Sequence, residues 1–204
     1  MCTHCMGALL VGNFAEPLGG DSAGFDSSAA YSIGFTVGAT PLTLQSVDLR
    51  LSGNAAPTNA FLELRQDSGG NPANSAFLVF NPLIVATGGP APYSFLPSGA
   101  PLLSANSTYW LTLRTDAIAP GGLVVAGTTP GAALAQPFAI FAGLRTGLSD
   151  NQSIDITGLA PVPSFQLNGV TAVPEPSSLA LLTLATGGLL WRRRYSSNLK
   201  KAKH

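Results

Sequence analysis

The chain has 204 residues, enough for one ordinary domain with a sizeable core and a short appendage, and Gly, Pro, Thr, Ser and Val outweigh the 10% that are charged, which favours short strands over long amphipathic helices. The formal net charge of +0 hides an asymmetry: the ten acidic residues lie between Glu16 and Glu175, Arg50, Arg65, Arg114 and Arg145 are the only basic residues before the tail, and six more basic residues crowd between Arg192 and Lys203. A body of formal charge −6 without Lys lacks the basic stripe that neutralises phosphates and has no GxxxxGK-type phosphate loop, so nucleic acid is not expected as a partner.

The first residues, MCTHCMGALLVGNFAEP, do not read as an export signal. The apolar run 6–11 has no basic region before it and falls below the ~7–15 residues of a signal-peptide core. The expectation is a start placed too late, with 1–8 a residual segment or the end of a signal peptide, or with these opening residues the first strand of the domain. Cys2 and Cys5, with His4 between them, have the spacing of half a zinc site or a redox pair. His204 is the chain's one other His and there is no further Cys, so Cys and His alone cannot complete a zinc cage. A redox pair belongs on a strand-to-helix turn, and nothing here suggests one. No metal and no cofactor is expected; the pair reads as incidental, with a local disulfide or adventitious metal as the other readings.

From 10 to 170 the punctuation is regular. Apolar runs of strand length, YSIGFTV (31–37), LTLQSVDLRLSG (42–53), AFLELRQ (60–66), AFLVF (76–80), TYWLTLRT (108–115), GLVVAG (122–127), PFAIFAG (137–143) and SFQLNG (164–169), alternate with Gly, Pro, Asn and Ser, the signature of strands and turns. Val47, Leu49 and Leu51 alternate with Asp48 and Arg50, as a half-buried antiparallel strand requires, although Leu44 breaks the parity. Leu62 and Leu64 are expected inward by the same rule. About eight short strands predict an all-β fold, an antiparallel β-sandwich of jelly-roll type over 9–170.

The segment from Asp67 to Pro72, DSGGNP, supplies two glycines for positive φ and local caps from Asp67 and Asn71. Those side chains are also oxygen ligands, but a Ca²⁺ loop takes about six to eight oxygens, so turn chemistry is the favoured reading. Tyr109 and Trp110 are adjacent and face opposite sides of their strand: one is expected in the core, the other outward or at a sheet end.

Several segments together resemble the choice-of-anchor R domain, a β-rich extracellular module: SIGFTVG (32–38), the strand 42–51, residues 61–70, and 93–113 with PSGAPLLSANSTYWLTL. The resemblance covers most of 9–170, places the domain start near Leu9 and implies location and architecture, with no catalytic residues.

Between Cys5 and His204 there is no Cys or His, so the body has no Ser-His-Asp triad, Cys-His pair or His-ligated catalytic metal. A glycosidase-type carboxylate pair stays open, yet Asp21, Asp26, Asp48, Glu63, Asp67, Asp116, Asp150 and Asp155 fall mostly at turns or alternating exposed positions. The expectation is that the protein is not an enzyme. A carbohydrate-binding sandwich is the alternative, with Tyr93, Phe95, Tyr109 and Trp110 as candidate stacking residues; a carboxylate-dependent glycoside hydrolase is a further one. Asn106-Ser107-Thr108 and Asn151-Gln152-Ser153 match the glycosylation pattern, a weak sign by itself.

The tail runs VPEPSSLALLTLATGGLLWRRRY from Val173. Pro174 and Pro176 hold the linker 171–176 extended and accessible, and Ser177 or Ser178 suits a helix cap. The uncharged run 177–191, with Ser177, Leu179, Leu181, Leu182, Leu184, Leu189, Leu190 and Trp191, predicts a short transmembrane helix, below the ~20 residues usual for a span. Trp191 suits the interface, and Arg192, Arg193 and Arg194 mark 192–204 as the cytoplasmic flank, which puts the body outside. A buried helix of the domain is the competing reading of such a run.

Val173-Pro174-Glu175-Pro176, a short apolar helix and a terminal Arg cluster closely resemble the PEP-CTERM sorting signal of Gram-negative bacteria. That resemblance implies recognition by an exosortase, a membrane-embedded cysteine transpeptidase, with Pro174, Glu175 and Pro176 as the motif and the helix as a temporary inner-membrane anchor. It makes the chain a substrate delivered to the surface or to exopolysaccharide, where a structural or adhesive role in biofilm is expected.

Overall fold

A computed structural model of the protein describes residues 8–54, 56–129, 133–147, 153–157 and 161–171. Two units divide the chain, Met1–Ala172 and Val173–His204, and every described residue belongs to the first. Among the described residues all regular structure is β: β1 (Ala8–Gly12), β2 (Leu18–Phe25), β3 (Ala30–Val37), β4 (Leu42–Gly53), β5 (Thr58–Asp67), β6 (Pro72–Val79), β7 (Leu83–Val85), β8 (Ala91–Phe95), β9 (Leu102–Leu103), β10 (Thr108–Thr115), β11 (Leu123–Thr128), β12 (Ala139–Gly147), β13 (Ser153–Asp155) and β14 (Phe165–Thr171). No helix among them is long and apolar enough to cross a membrane; the helix expected over 177–191 lies outside the described residues.

The strands form two antiparallel sheets, consistent with a β-sandwich. The first runs β1-β14-β4-β11-β2, with β8 and β9 also on β4; the second runs β13-β12-β3-β10-β5-β6, with β7 on β5. β4 is the spine of the first sheet. One of its edges is taken in succession by β14 and β11, the other by β9 and β8. Leu10, Leu49, Phe95, Leu123 and Phe165 from this sheet and Ile33, Phe35, Leu62, Tyr109 and Leu113 from the other join one buried cluster, so a single apolar core lies between the layers.

The eight apolar runs correspond to β3, β4, β5, β6, β10, β11, β12 and β14. Five strands have no counterpart in the reading above, β2, β7, β8, β9 and β13, whereas β1 falls where the opening residues read as a first strand or the end of a signal peptide. β7, β9 and β13 are only two or three residues long, β8 contains Pro92, and β2 reads LGGDSAGF, poor in β-formers. Pairing with a long neighbour imposes their extended backbone; β2, for instance, lies along β11 from Leu18 to Phe25.

The parity break in β4 has a local cause. Asn168 pairs with Ser46 and Gly169 with Leu44, so Gln45 is an extra residue on β4. This β-bulge lets Leu42 and Leu44 on one side of it and Val47, Leu49 and Leu51 on the other all reach the core. In β5, Leu62 and Leu64 are fully buried and Phe61 exposed, as alternation requires. A buried Asn13 just beyond β1 ties β14 and β11 together in this sheet: its Oδ1 accepts from the Phe165 N–H at 3.0 Å and its Nδ2 donates to Thr128 Oγ1 at 3.2 Å.

Candidate functional site

The residues singled out in the tail lie outside the described residues: Pro174, Glu175 and Pro176, the apolar run from Ser177 through Leu179, Leu181, Leu182, Leu184, Leu189 and Leu190 to Trp191, and Arg192, Arg193 and Arg194. So do Cys2, His4, Cys5 and His204. In the body, the densest polar constellation is on the outer face of the second sheet, across β12, β3, β10 and β5.

Register assembles it. Arg145 of β12 pairs with Ser32 of β3, Ser32 with Thr112 of β10, and Thr112 with Glu63 of β5; one step along, Gly34 pairs with Trp110 and Trp110 with Arg65. Trp110 lies flat over Gly34, where a Cβ would stand 2.7 Å from its ring. The indole Nε1 donates to Asp67 Oδ1 at 2.8 Å, and the Arg145 guanidinium sits over the ring, 5.4 Å from its centroid, a cation–π contact. Arg145 is held there by Asp155 at 2.6 Å. The backbone N–H and hydroxyl of Thr157 come first, and Arg145 after them, in holding the Asp155 carboxyl below the usual carboxylate range. Arg65, buried, donates from Nε (2.9 Å) and Nη2 (2.5 Å) to Glu63 Oε2 and from Nη1 to the Ala73 carbonyl at 3.0 Å. Arg114 approaches the same Glu63 oxygen at 3.9 Å. Ser32 and Thr112 share a 3.0 Å hydrogen bond beneath the charges.

Trp110 thus faces outward, on the opposite side from Tyr109, but it is only 2% exposed. The outward side chain is not at a surface, because Arg145 and the Asp67 turn cover it and Gly34 lets it lie against the backbone. Tyr109 is in the core, stacked on Phe35 at 6.0 Å, its hydroxyl accepting from the Ser104 N–H at 3.0 Å. Phe95 is buried, and Tyr93 is half-buried with its hydroxyl accepting from the Ala86 N–H at 2.9 Å. The four aromatics belong to different sheets, β8 of the first and β10 of the second, and do not form one exposed platform.

Besides Glu63 and Asp155, the carboxylates of Asp26, Asp48, Asp67 and Asp116 are engaged by donors. Asp26 accepts from the Ser28 hydroxyl and N–H, and these two bonds hold its carboxyl below the usual range. Asp48 accepts from Ser94 Oγ and from Asn168 Nδ2. Asp116 accepts from Asn59 Nδ2, the Asn59 N–H and Thr58 Oγ1, and the two bonds from Asn59 dominate the lowering of its pKa. Asp67 completes its turn by accepting from the Gly70 N–H at 3.1 Å, with φ of 64° at Gly69 and 84° at Gly70; one oxygen serves the turn and the other Trp110. No group of three or more potential metal-ligating side chains occurs among the described residues. Asp21 is in β2, and Asp150 lies outside the described residues.

Sequence reasoning missed the outer-face network because Arg65, Glu63, Trp110 and Arg145 come from three strands scattered along the chain. One sign was present: a glycine inside the apolar strand YSIGFTV marks a place of close approach.

Residues 172–194 match the PEP-CTERM protein-sorting motif. The match contains Pro174, Glu175, Pro176, the apolar run and the three arginines, and it concerns the tail alone. It supports a PEP-CTERM protein, with exosortase-dependent sorting of a secreted surface protein and an exosortase as the processing partner. The signal implies export with a transient membrane stage on the way to the cell surface. No curated protein matches the chain.

Proposed function

We propose that this chain is a noncatalytic surface or extracellular-matrix protein, structural or adhesive in exopolysaccharide or biofilm, whose body is a passive cargo domain and whose tail is cut by an exosortase. The sorting-motif match over 172–194 carries the reading. In it, 177–191 spans the inner membrane transiently, Arg192, Arg193 and Arg194 stop transfer on the cytoplasmic side, and the body, of choice-of-anchor R type, stands on the periplasmic side. The body supports the noncatalytic part through the chemistry of its side chains: Cys and His are absent between Cys5 and His204, and the carboxylates of Asp26, Asp48, Glu63, Asp67, Asp116 and Asp155 already serve a turn, a strand pair or an ion pair.

The test is intact mass and fractionation of the protein from its native host, beside a variant with Pro174, Glu175 and Pro176 replaced by Ala. The expected result is loss of everything after about the motif in the parent, found outside the cell, and retention of the uncut variant in the membrane. An intact tail on a cytoplasmic parent overturns the reading.

A further inference from the structure

β14 ends at Thr171, which pairs with Leu42 at the start of β4. Hydrogen bonds gather three loops around this end of the two sheets: the Gly38 N–H donates to the Phe138 carbonyl at 3.0 Å, the Asn106 N–H to the Gly38 carbonyl at 3.0 Å, and the Phe138 N–H to the Leu10 carbonyl of β1 at 3.2 Å. The segments that meet here, 36–47, 99–109, 134–144 and 164–171, contain no charged residue.

One corner of this end is apolar and open. Pro137, Phe138, Ile140 and Ala142, on and just before β12, are exposed, as is Ala39 in the loop from β3 to β4; Phe138 is 40% and Ile140 60% exposed. Ile140 pairs with Thr36 of β3, and β13 lines β12 only from Arg145 onward. The charged groups stand elsewhere. Asp67, at the last position of β5, is three strands from Ile140 in the sheet order, and its oxygens hold the Trp110 indole and the Gly70 N–H. Arg145 is turned over the Trp110 ring and tied to Asp155. Asp26, before β3, and Asp116, after β10, belong to the opposite end.

We infer that this corner rests on a lipid surface, with Phe138 and Ile140 in the headgroup region of the membrane that the tail enters and the β5 side lifted away. The inference rests on the membrane insertion of the tail proposed above. Two observations choose lipid as the occupant. Six residues lead from Thr171 to Ser177, where the apolar run begins, a tether of no more than about 22 Å at full extension; so short a link keeps this end of the body close to the bilayer, where even a small apolar contact closes. The rest of the body is acidic by formal count and is repelled by anionic headgroups, so an approach by the corner is the one that takes no charge out of water.

The experiment places nitroxide labels on the full chain in vesicles of equal parts phosphatidylcholine and phosphatidylglycerol, in a Cys2→Ser/Cys5→Ser background without native thiols. Phe138→Cys and Ile140→Cys report the corner. Ile118→Cys, at a site 89% exposed in the loop after β10, reports the opposite end. All three sites are exposed, and circular dichroism checks that each variant is folded. Flotation with the vesicles reads the anchor; the ratio of label accessibility to oxygen, which concentrates in lipid, over a water-soluble nickel complex reads depth. The chain is expected to float, with a ratio several-fold higher at positions 138 and 140 than at position 118, and Ile140→Glu is expected to bring the ratio at position 138 down to that at 118. A floating chain whose labels at 138 and 140 match the one at 118, or a label at 138 that Ile140→Glu leaves unmoved, overturns the contact while the anchor stands. A chain that stays in solution overturns the anchor and the contact with it.

Discussion

Trp110 shows how one residue's role depends on its cross-strand neighbour. Its ring occupies the space that a side chain at position 34 would take, so Gly34→Ala drives a methyl against a ring pinned by Asp67 and Arg145. The expected cost is about 1–3 kcal/mol in denaturant unfolding, and it disappears in a Trp110→Ala background, where the methyl has room. Equal costs in both backgrounds would show that Gly34 is needed for its backbone rather than for the indole. Asp116 makes the corresponding point for charge. Its bonds from Asn59 and Thr58 lower its pKa in the folded state, so the unfolded chain takes up the proton more readily. The stability it contributes is complete above about pH 4, the unfolded value, and is lost as pH falls through the lower folded value. Asp116→Asn is therefore expected to narrow the gap between the unfolding midpoints at about pH 6 and about pH 3, read by thermal melts; an unchanged gap would remove Asp116 from the acid sensitivity.

Among the elements, β4 is the most exacting, since four strands read its register. Its alternation is legible from Val47 to Leu51, but the sequence does not say where the extra residue lies that reconciles Leu44 with Val47. The partner strand answers that, because β14 advances one residue where β4 advances two. Deleting Gln45 removes the bulge and leaves Leu42, Leu44, Val47, Leu49 and Leu51 on one face, at an expected cost within about 1–2 kcal/mol. Deleting Asp48 turns Leu49 and Leu51 outward relative to Val47 and is expected to abolish cooperative unfolding. If both deletions behave alike, β4 is not held by its apolar face. The short strands β7, β9 and β13 were invisible beforehand for a related reason: with three residues or fewer they hold no period, and their neighbours supply the extended backbone.

At the scale of the first unit, the first sheet closes by joining the first and last described strands, β1 to β14 and β14 to β4. A chain ended after Pro163 loses Phe165 and Leu167, both fully buried, and leaves Asn13 without the Phe165 N–H. It is expected to show no cooperative unfolding by circular dichroism, whereas a chain ended after Ala172 keeps every described strand and melts as a single transition. A cooperative melt of the shorter chain would place the core's closure elsewhere. The all-β class, the inward faces of β4 and β5 and the turn at Asp67 were readable from the sequence by itself, because alternation and turn chemistry are local and leave a period of a few residues. The sorting tail was readable for the same reason, its proline motif, apolar run and arginines being contiguous. Only the tertiary structure decided that Trp110 is outward and yet buried, that Arg65, Glu63, Arg145 and Asp155 form one outer-face network, and that the uncharged strands β6 and β7 lie along a sheet margin. Those outcomes depend on which strands are neighbours and in what register, and pairing between residues far apart in the chain leaves no period in the sequence from which to read it.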